Sequence, residues 1–118
     1  MTTPVELKER TKQFAIRIVR LCRALPRSRE SDVIARQVLR SGTSVGANYR
    51  AVCRARSKAE FISKMGIVIE EADETHFWLE LLIATEILPT TKMAPLLDEA
   101  DQLTAIFVAA RETAKKNH

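Results

Sequence analysis

Asp73-Glu74-Thr75-His76 places a carboxylate three residues before an imidazole, a spacing that shares one helix face. Carboxylate-bridged dimetal bundles use a Glu-x-x-His spacing, but on two helices, with a further acid on each of the other two. No Asp or Glu occurs between Asp32 and Glu60, and the only other histidine is His118. A metal centre is therefore not expected. A Ser or Cys nucleophile needs a positioned base, and His76 has no recognisable partner spacing. Ser41-Gly42-Thr43-Ser44-Val45-Gly46 neither follows a strand nor precedes a lysine, so it is not a phosphate loop. Cys22 and Cys53 lack a Cys-x-x-Cys spacing and read as buried thiols of a reducing compartment. These residues assign no catalytic group and no cofactor, and no enzymatic activity is expected.

The basic residues are more suggestive. Arg17, Arg20, Arg23 and Arg27 recur at three to four residues; Arg36 and Arg40 are four apart, as are Arg50 and Arg54, with Arg56 and Lys58 next in line. Each set lies along one side of a helix. Such a patch binds phosphates by charge and counterion release. Arg17, Arg20, Arg36, Arg40, Arg50, Arg54, Arg56 and Lys58 are accordingly the candidate nucleic-acid-binding residues, with RNA or DNA as partner. The competing reading is a solvated face, or ion pairs with Glu70, Glu71, Asp73 and Glu74. Residues 1–64 carry 15 basic and 5 acidic side chains, a net of +10; residues 65–118 carry 4 and 10, a net of −6. This asymmetry implies a basic face, an acidic face, or helices of complementary charge.

The elements that must hold these residues are helical. Leu7, Phe14, Ile18, Leu21, Cys22 and Leu25 form one stripe, so a first helix is predicted from Pro4 to about Leu25, stopped by Pro26. Ser28 or Ser31 can cap a second helix over 31–55. Its stripe of Ile34, Val38, Ser41, Val45, Asn48 and Val52 runs through Gly42 and Gly46 without losing phase. A continuous or kinked helix is preferred there, with the two glycines admitting a close neighbour; the alternative is a loop between two short helices. Ser57-Lys58-Ala59-Glu60 matches a capping box and opens a third helix over 57–88, striped by Phe61, Met65, Val68, Ala72, Thr75, Leu79, Leu82 and Glu86. A fourth helix is predicted over 92–115, with Pro95 in its first turn and Leu96, Leu97, Ala100, Leu103, Thr104, Phe107 and Ala110 at helical spacing. Four long helices with short connections predict an all-α, antiparallel up-down-up-down four-helix bundle, forming one domain over residues 1–118.

The chain of 118 residues is 46% hydrophobic and 29% charged, with 3 Gly and 4 Pro, which excludes general disorder. No basic segment followed by an apolar one opens it, and no apolar run approaches about 18 residues. No signal peptide and no membrane partner are expected, and the location expected is cytoplasmic. The third helix is apolar beyond one stripe: Ile67-Val68-Ile69, Phe77-Trp78-Leu79 and Leu81-Leu82-Ile83 cover most of its circumference. A second apolar face implies a homo-oligomer, with central burial inside the monomer as the competing reading.

Two blocks carry a resemblance. Residues 34–51, from Ile34-Ala35-Arg36-Gln37-Val38-Leu39-Arg40 through Ser41-Gly42-Thr43-Ser44-Val45-Gly46-Ala47-Asn48-Tyr49-Arg50-Ala51, resemble the bacterial four-helix-bundle family named after the 23S rRNA intervening sequence. So do Ser57-Lys58-Ala59-Glu60-Phe61-Ile62-Ser63-Lys64-Met65 and the segment from Glu70 to Leu82. Phe77-Trp78 departs from the Tyr-Trp that the family often shows. The resemblance implies a four-helix bundle assembled as a ring-shaped homopentamer. A related branch, the accessory protein of diversity-generating retroelements, is a basic pentamer that binds nucleic acid and a reverse transcriptase. No enzymatic activity is established for the family, so the resemblance supplies no catalytic residues. Two functional readings stay open: a non-enzymatic module binding nucleic acid through its basic faces, and a scaffold ring presenting a surface to an unknown protein partner.

Overall fold

The computed structural model describes residues 2–117. It contains four helices, α1 (Pro4–Ala24), α2 (Arg29–Cys53), α3 (Lys58–Ala84) and α4 (Thr90–Lys116), and no strand among the described residues. The helices lie side by side in a rod of 50 × 22 × 20 Å. α1 packs on α2, α2 on α3 and α3 on α4, while a slighter contact of α1 with α4 closes the bundle. Residue pairings give the directions. Gly42 lies against Ile18 and Gly46 against Thr11; Arg40 reaches Glu74 and Ser44 reaches Glu71; Gly66 adjoins Arg111 and His76 meets Asp101. In each helix pair one number rises as the other falls, so successive helices are antiparallel.

One core cluster runs through all four helices, built on Phe14, Ile18, Val38, Val45, Val68, Leu79, Leu103 and Phe107 among others. Tyr49 of α2 and Phe107 of α4 meet across the centre, with ring centroids 5.6 Å apart. Tyr49 takes the inward place expected for Asn48; the Asn48 amide instead donates to the Ser44 carbonyl at 2.9 Å, half-buried. α2 is continuous through Gly42 and Gly46. A Cβ on Gly42 would fall 2.7 Å from Ile18 Cγ1, and one on Gly46 would fall 3.3 Å from the Thr11 carbonyl oxygen. The glycines are therefore the seam along which the α1 and α2 backbones close up. The tighter packing of the core along this seam offsets the roughly 1 kcal/mol that glycine costs in a helix.

The helix ends differ from expectation in instructive ways. The full capping box belongs to α1: the Glu6 N–H donates to Thr3 Oγ1 and the Thr3 N–H donates to Glu6 Oε2. At α3 only half of the expected box forms. The Ser57 hydroxyl accepts from the Glu60 N–H, but the Glu60 carboxylate turns to Arg56 and Lys64. Ser28, and not Ser31, caps α2, which starts two residues earlier than predicted. α4 starts at Thr90, so Pro95 sits inside the helix beyond its first turn.

The largest correction is at the end of α3, four residues short of the predicted Leu88. Glu86 adopts φ 60°, the Ile87 N–H reaches back to the Leu82 carbonyl, and the Glu86 N–H to Ile83. This is a Schellman stop, a motif that favours glycine at the left-handed position. A non-glycine residue in that region costs about 1–2 kcal/mol. Glu86→Gly should therefore raise the unfolding free energy by up to about 1 kcal/mol, the remainder being offset by glycine's greater freedom in the unfolded chain. Denaturant melts check this; a loss of stability would mean that the Glu86 side chain contributes a contact of its own.

Candidate polyanion-binding face

Because the glycine seam draws α1 and α2 together, cations on their open flanks come to stand beside one groove. In α1 the buried stripe of Leu7, Thr11, Phe14 and Ile18 turns Lys8 and Lys12 outward. In α2 the stripe through Val38, Val45 and Val52 turns Arg50 and Arg54 outward. Lys8, Lys12 and Arg50 line a depression of about 260 Å³ whose floor is small: Ala15, Thr43 and Gly46. It adjoins a second, of about 370 Å³, between Lys8, Arg50 and Arg54.

Among the described residues no carboxylate lies within ion-pairing distance of Lys8, Lys12, Arg50 or Arg54. The nearby acids of α1 are occupied, Glu6 by its capping box and Glu9 by Gln13. Arg36 extends the face. It is exposed, unpaired among the described residues, and seven residues before Thr43, a spacing that returns to the same helix side.

The remaining predicted residues go elsewhere. Arg40 is turned to α3, where its guanidinium pairs with Glu71 at 3.2 Å and with Glu74. Glu71 also accepts from the Ser44 hydroxyl, and Glu74 from the Trp78 indole N–H. Arg17 follows Arg10 by seven residues and so shares its flank. Arg10 reaches α4, with Nε and Nη2 at 2.8 and 2.7 Å from the two Glu99 carboxylate oxygens. This hydrogen bonding raises the Arg10 pKa further above its ordinary value, against the lowering effect of burial. Arg17 is therefore turned away from the groove, and Arg20, exposed farther along α1, lines neither depression. Arg56 and Lys58 stand at the end of the bundle, Arg56 within 3.6 Å of Glu60.

Lys8 and Lys12 had a legible signal, their i, i+4 spacing, but their importance comes from a neighbouring helix that the spacing does not name. His76 has its two ring nitrogens 2.9 Å from Glu80 and Asp101 carboxylate oxygens, which ties α3 to α4; His118 lies outside the described residues. Among the described residues no three or more His, Cys, Asp or Glu side chains are placed to hold a metal ion. The Cys22 thiol lies 3.6 Å from the Ala35 carbonyl oxygen, and burial pushes its pKa up. Among the same residues no helix is long and apolar enough to cross a membrane.

Comparison with known proteins agrees with this architecture. A family model described as 23S rRNA-intervening sequence protein matches residues 4–109. A crystal structure of a protein with unknown function from the S23 ribosomal protein family of Bacteroides thetaiotaomicron is similar to the chain. It has 36% identity and a TM-score of 0.85, and the match covers 92% of this chain and 97% of that one. No functionally curated protein matches the chain. The shared helices, the matched span and the level of identity together mean that the chain belongs to the 23S rRNA-intervening sequence protein family.

Proposed function

We propose that this protein is a non-enzymatic module that binds nucleic acid by its phosphate backbone, through the α1–α2 face. The observation that carries this reading is the groove itself: four cations without a counter-charge stand around a floor of small side chains that lets a strand approach. The face has no aromatic side chain among these lining residues, so base stacking is not available and binding is sequence-tolerant. Lys8, Lys12, Arg36, Arg50 and Arg54 carry it. Arg40 is neutralised by α3, and Arg17, Arg20, Arg56 and Lys58 lie off the groove. The test is a titration of labelled RNA and DNA at two salt concentrations. About five phosphate contacts predict an affinity loss of about 10²–10³-fold between 50 and 200 mM salt, with duplex DNA at the steep end. Absence of binding at low salt would remove the proposal.

A second reading concerns assembly and rests on α3. Its outward side leaves Ile67 45% and Phe77 53% exposed, with Trp78 and Leu81 half-buried beside them. Exposed aromatic and branched side chains on one helix face fit self-association; the number five comes from the family resemblance alone. A ring would repeat the basic groove in each copy and multiply its phosphate affinity without new contacts. Ile67→Asp with Phe77→Asp should convert the assembly to particles of 13.3 kDa in light scattering at fixed concentration, with helicity kept. Wild-type protein already at the monomer mass at micromolar concentration would contradict this reading.

A further inference from the structure

The end of the bundle where α2 hands over to α3 holds a cavity wide open to solvent, of about 500 Å³, a volume within the usual range for small-ligand sites. Pro4, Val52 and Phe61 give it apolar walls, and Tyr49 and Cys53 line it beside them. Tyr49 is only 4% exposed. Its hydroxyl has the Cys53 thiol as neighbour, and a thiol is a weak hydrogen-bond partner. Burial, then that thiol, push the phenol pKa upward, so Tyr49 remains a neutral donor.

The rim is positive. Arg56 and Lys58 line the cavity, and Lys58 has no acid within ion-pairing distance among the described residues. The Glu60 carboxylate is shared between Arg56 at 3.6 Å and Lys64 at 3.8 Å. The first turn of α3 adds to this. Ser57 caps the Glu60 N–H and its carbonyl takes the Phe61 N–H, while the Lys58 and Ala59 N–H groups lie in the stretch that every helix leaves unbonded. A 27-residue helix presents the positive end of its dipole there.

We infer that this cavity binds a small amphipathic anion, a carboxylic acid with an aromatic or medium-length aliphatic body. The carboxylate faces Arg56, Lys58 and the start of α3, and the body lies against Val52, Phe61 and Pro4 with Tyr49 donating from the wall. The site is separate from the α1–α2 groove, so failure of nucleic-acid binding leaves it standing.

Cys53 supplies the readout. The full-length protein is alkylated with and without millimolar octanoate or 3-phenylpropionate, and labelling of Cys53 and Cys22 is followed separately by peptide mass spectrometry. Cys22, against the Ala35 carbonyl, is the internal control. The expected result is a saturable slowing of Cys53 alkylation, roughly fivefold when the probe stands at about four times its Kd, with Cys22 unchanged. The matching neutral amides should give little protection, and Arg56→Gln with Lys58→Gln should abolish it while leaving thermal stability unaltered. The inference is overturned by no protection at millimolar acid, by equal protection from the amides, or by full protection in the double variant. It is also overturned if Cys53 is inert in unliganded native protein, since a cavity open to an organic acid is open to the alkylating reagent that reaches its lining thiol.

Discussion

Phe107→Ala should cost about 3–5 kcal/mol of stability, the usual loss on removing a fully buried aromatic side chain. Phe107 is 0% exposed and packs against Tyr49, so its ring joins the two diagonal helices α2 and α4 that have no extended backbone contact with each other. Truncation removes the apolar burial and leaves a void in the core where the Tyr49 ring loses its partner. For a chain of this length the loss corresponds to a fall in melting temperature of about 10–20 °C. Scanning calorimetry at fixed protein concentration checks it, since any self-association would shift the melt. A fall of under about 1 kcal/mol would mean that the bundle collapses around the void, and that Phe107 is not central to it.

Much of this architecture is legible in the spacing of apolar residues. Val38, Ser41, Val45 and Val52 keep one phase through two glycines, and α2 is unbroken there. The seam at Gly42 and Gly46 follows from the same phase, because small residues on an inward stripe are useful only if something comes close. Ile18 and Thr11 are what comes close. The end of α3 is less legible. Pro89 is a loud stop signal, whereas Glu86 in a left-handed conformation carries none of the glycine signature that marks such a stop. The Thr3-x-x-Glu6 box is present in the letters, although Pro4 by itself is the more conspicuous sign of where α1 begins.

The candidate site is legible only in part, for a physical reason. Spacing within one helix groups cations by side but does not say which neighbouring helix that side faces. Arg36 and Arg40 look alike at i, i+4, yet Arg36 faces solvent while Arg40 lies across α3 beside Glu71 and Glu74. Lys8 and Lys12 gain their partners Arg50 and Arg54 only through the antiparallel docking of α1 on α2. The charge asymmetry between the two halves of the chain thus resolves into two uses. Some basic residues neutralise acids of α3 and α4, as Arg10 does Glu99, and a smaller set is left free beside the groove.

That free set gives the second large effect. Arg50→Glu with Arg54→Glu places two negative charges where two phosphates would sit. Loss of two contacts reduces the salt slope by about 2, and the added repulsion lowers affinity by roughly 10–100-fold at low salt. Both side chains are exposed and unpaired among the described residues, but they stand in the last turn and at the C-cap of α2, so the reversal should cost about 1–2 kcal/mol through the helix dipole while the bundle still folds. Arg17→Glu with Arg20→Glu makes the same change of net charge on a part of α1 that lines neither depression. The most direct measurement is therefore a salt-dependent titration of labelled single-stranded RNA and duplex DNA against the wild type and these two variants, with light scattering confirming that all three share one particle mass. The groove predicts steep salt dependence in the wild type, a flattened slope and large loss for the Arg50/Arg54 variant, and near-wild-type binding for the Arg17/Arg20 variant. Equal losses in the two variants would show that net charge and not the α1–α2 groove governs binding, and no binding by the wild type at low salt would contradict the account outright.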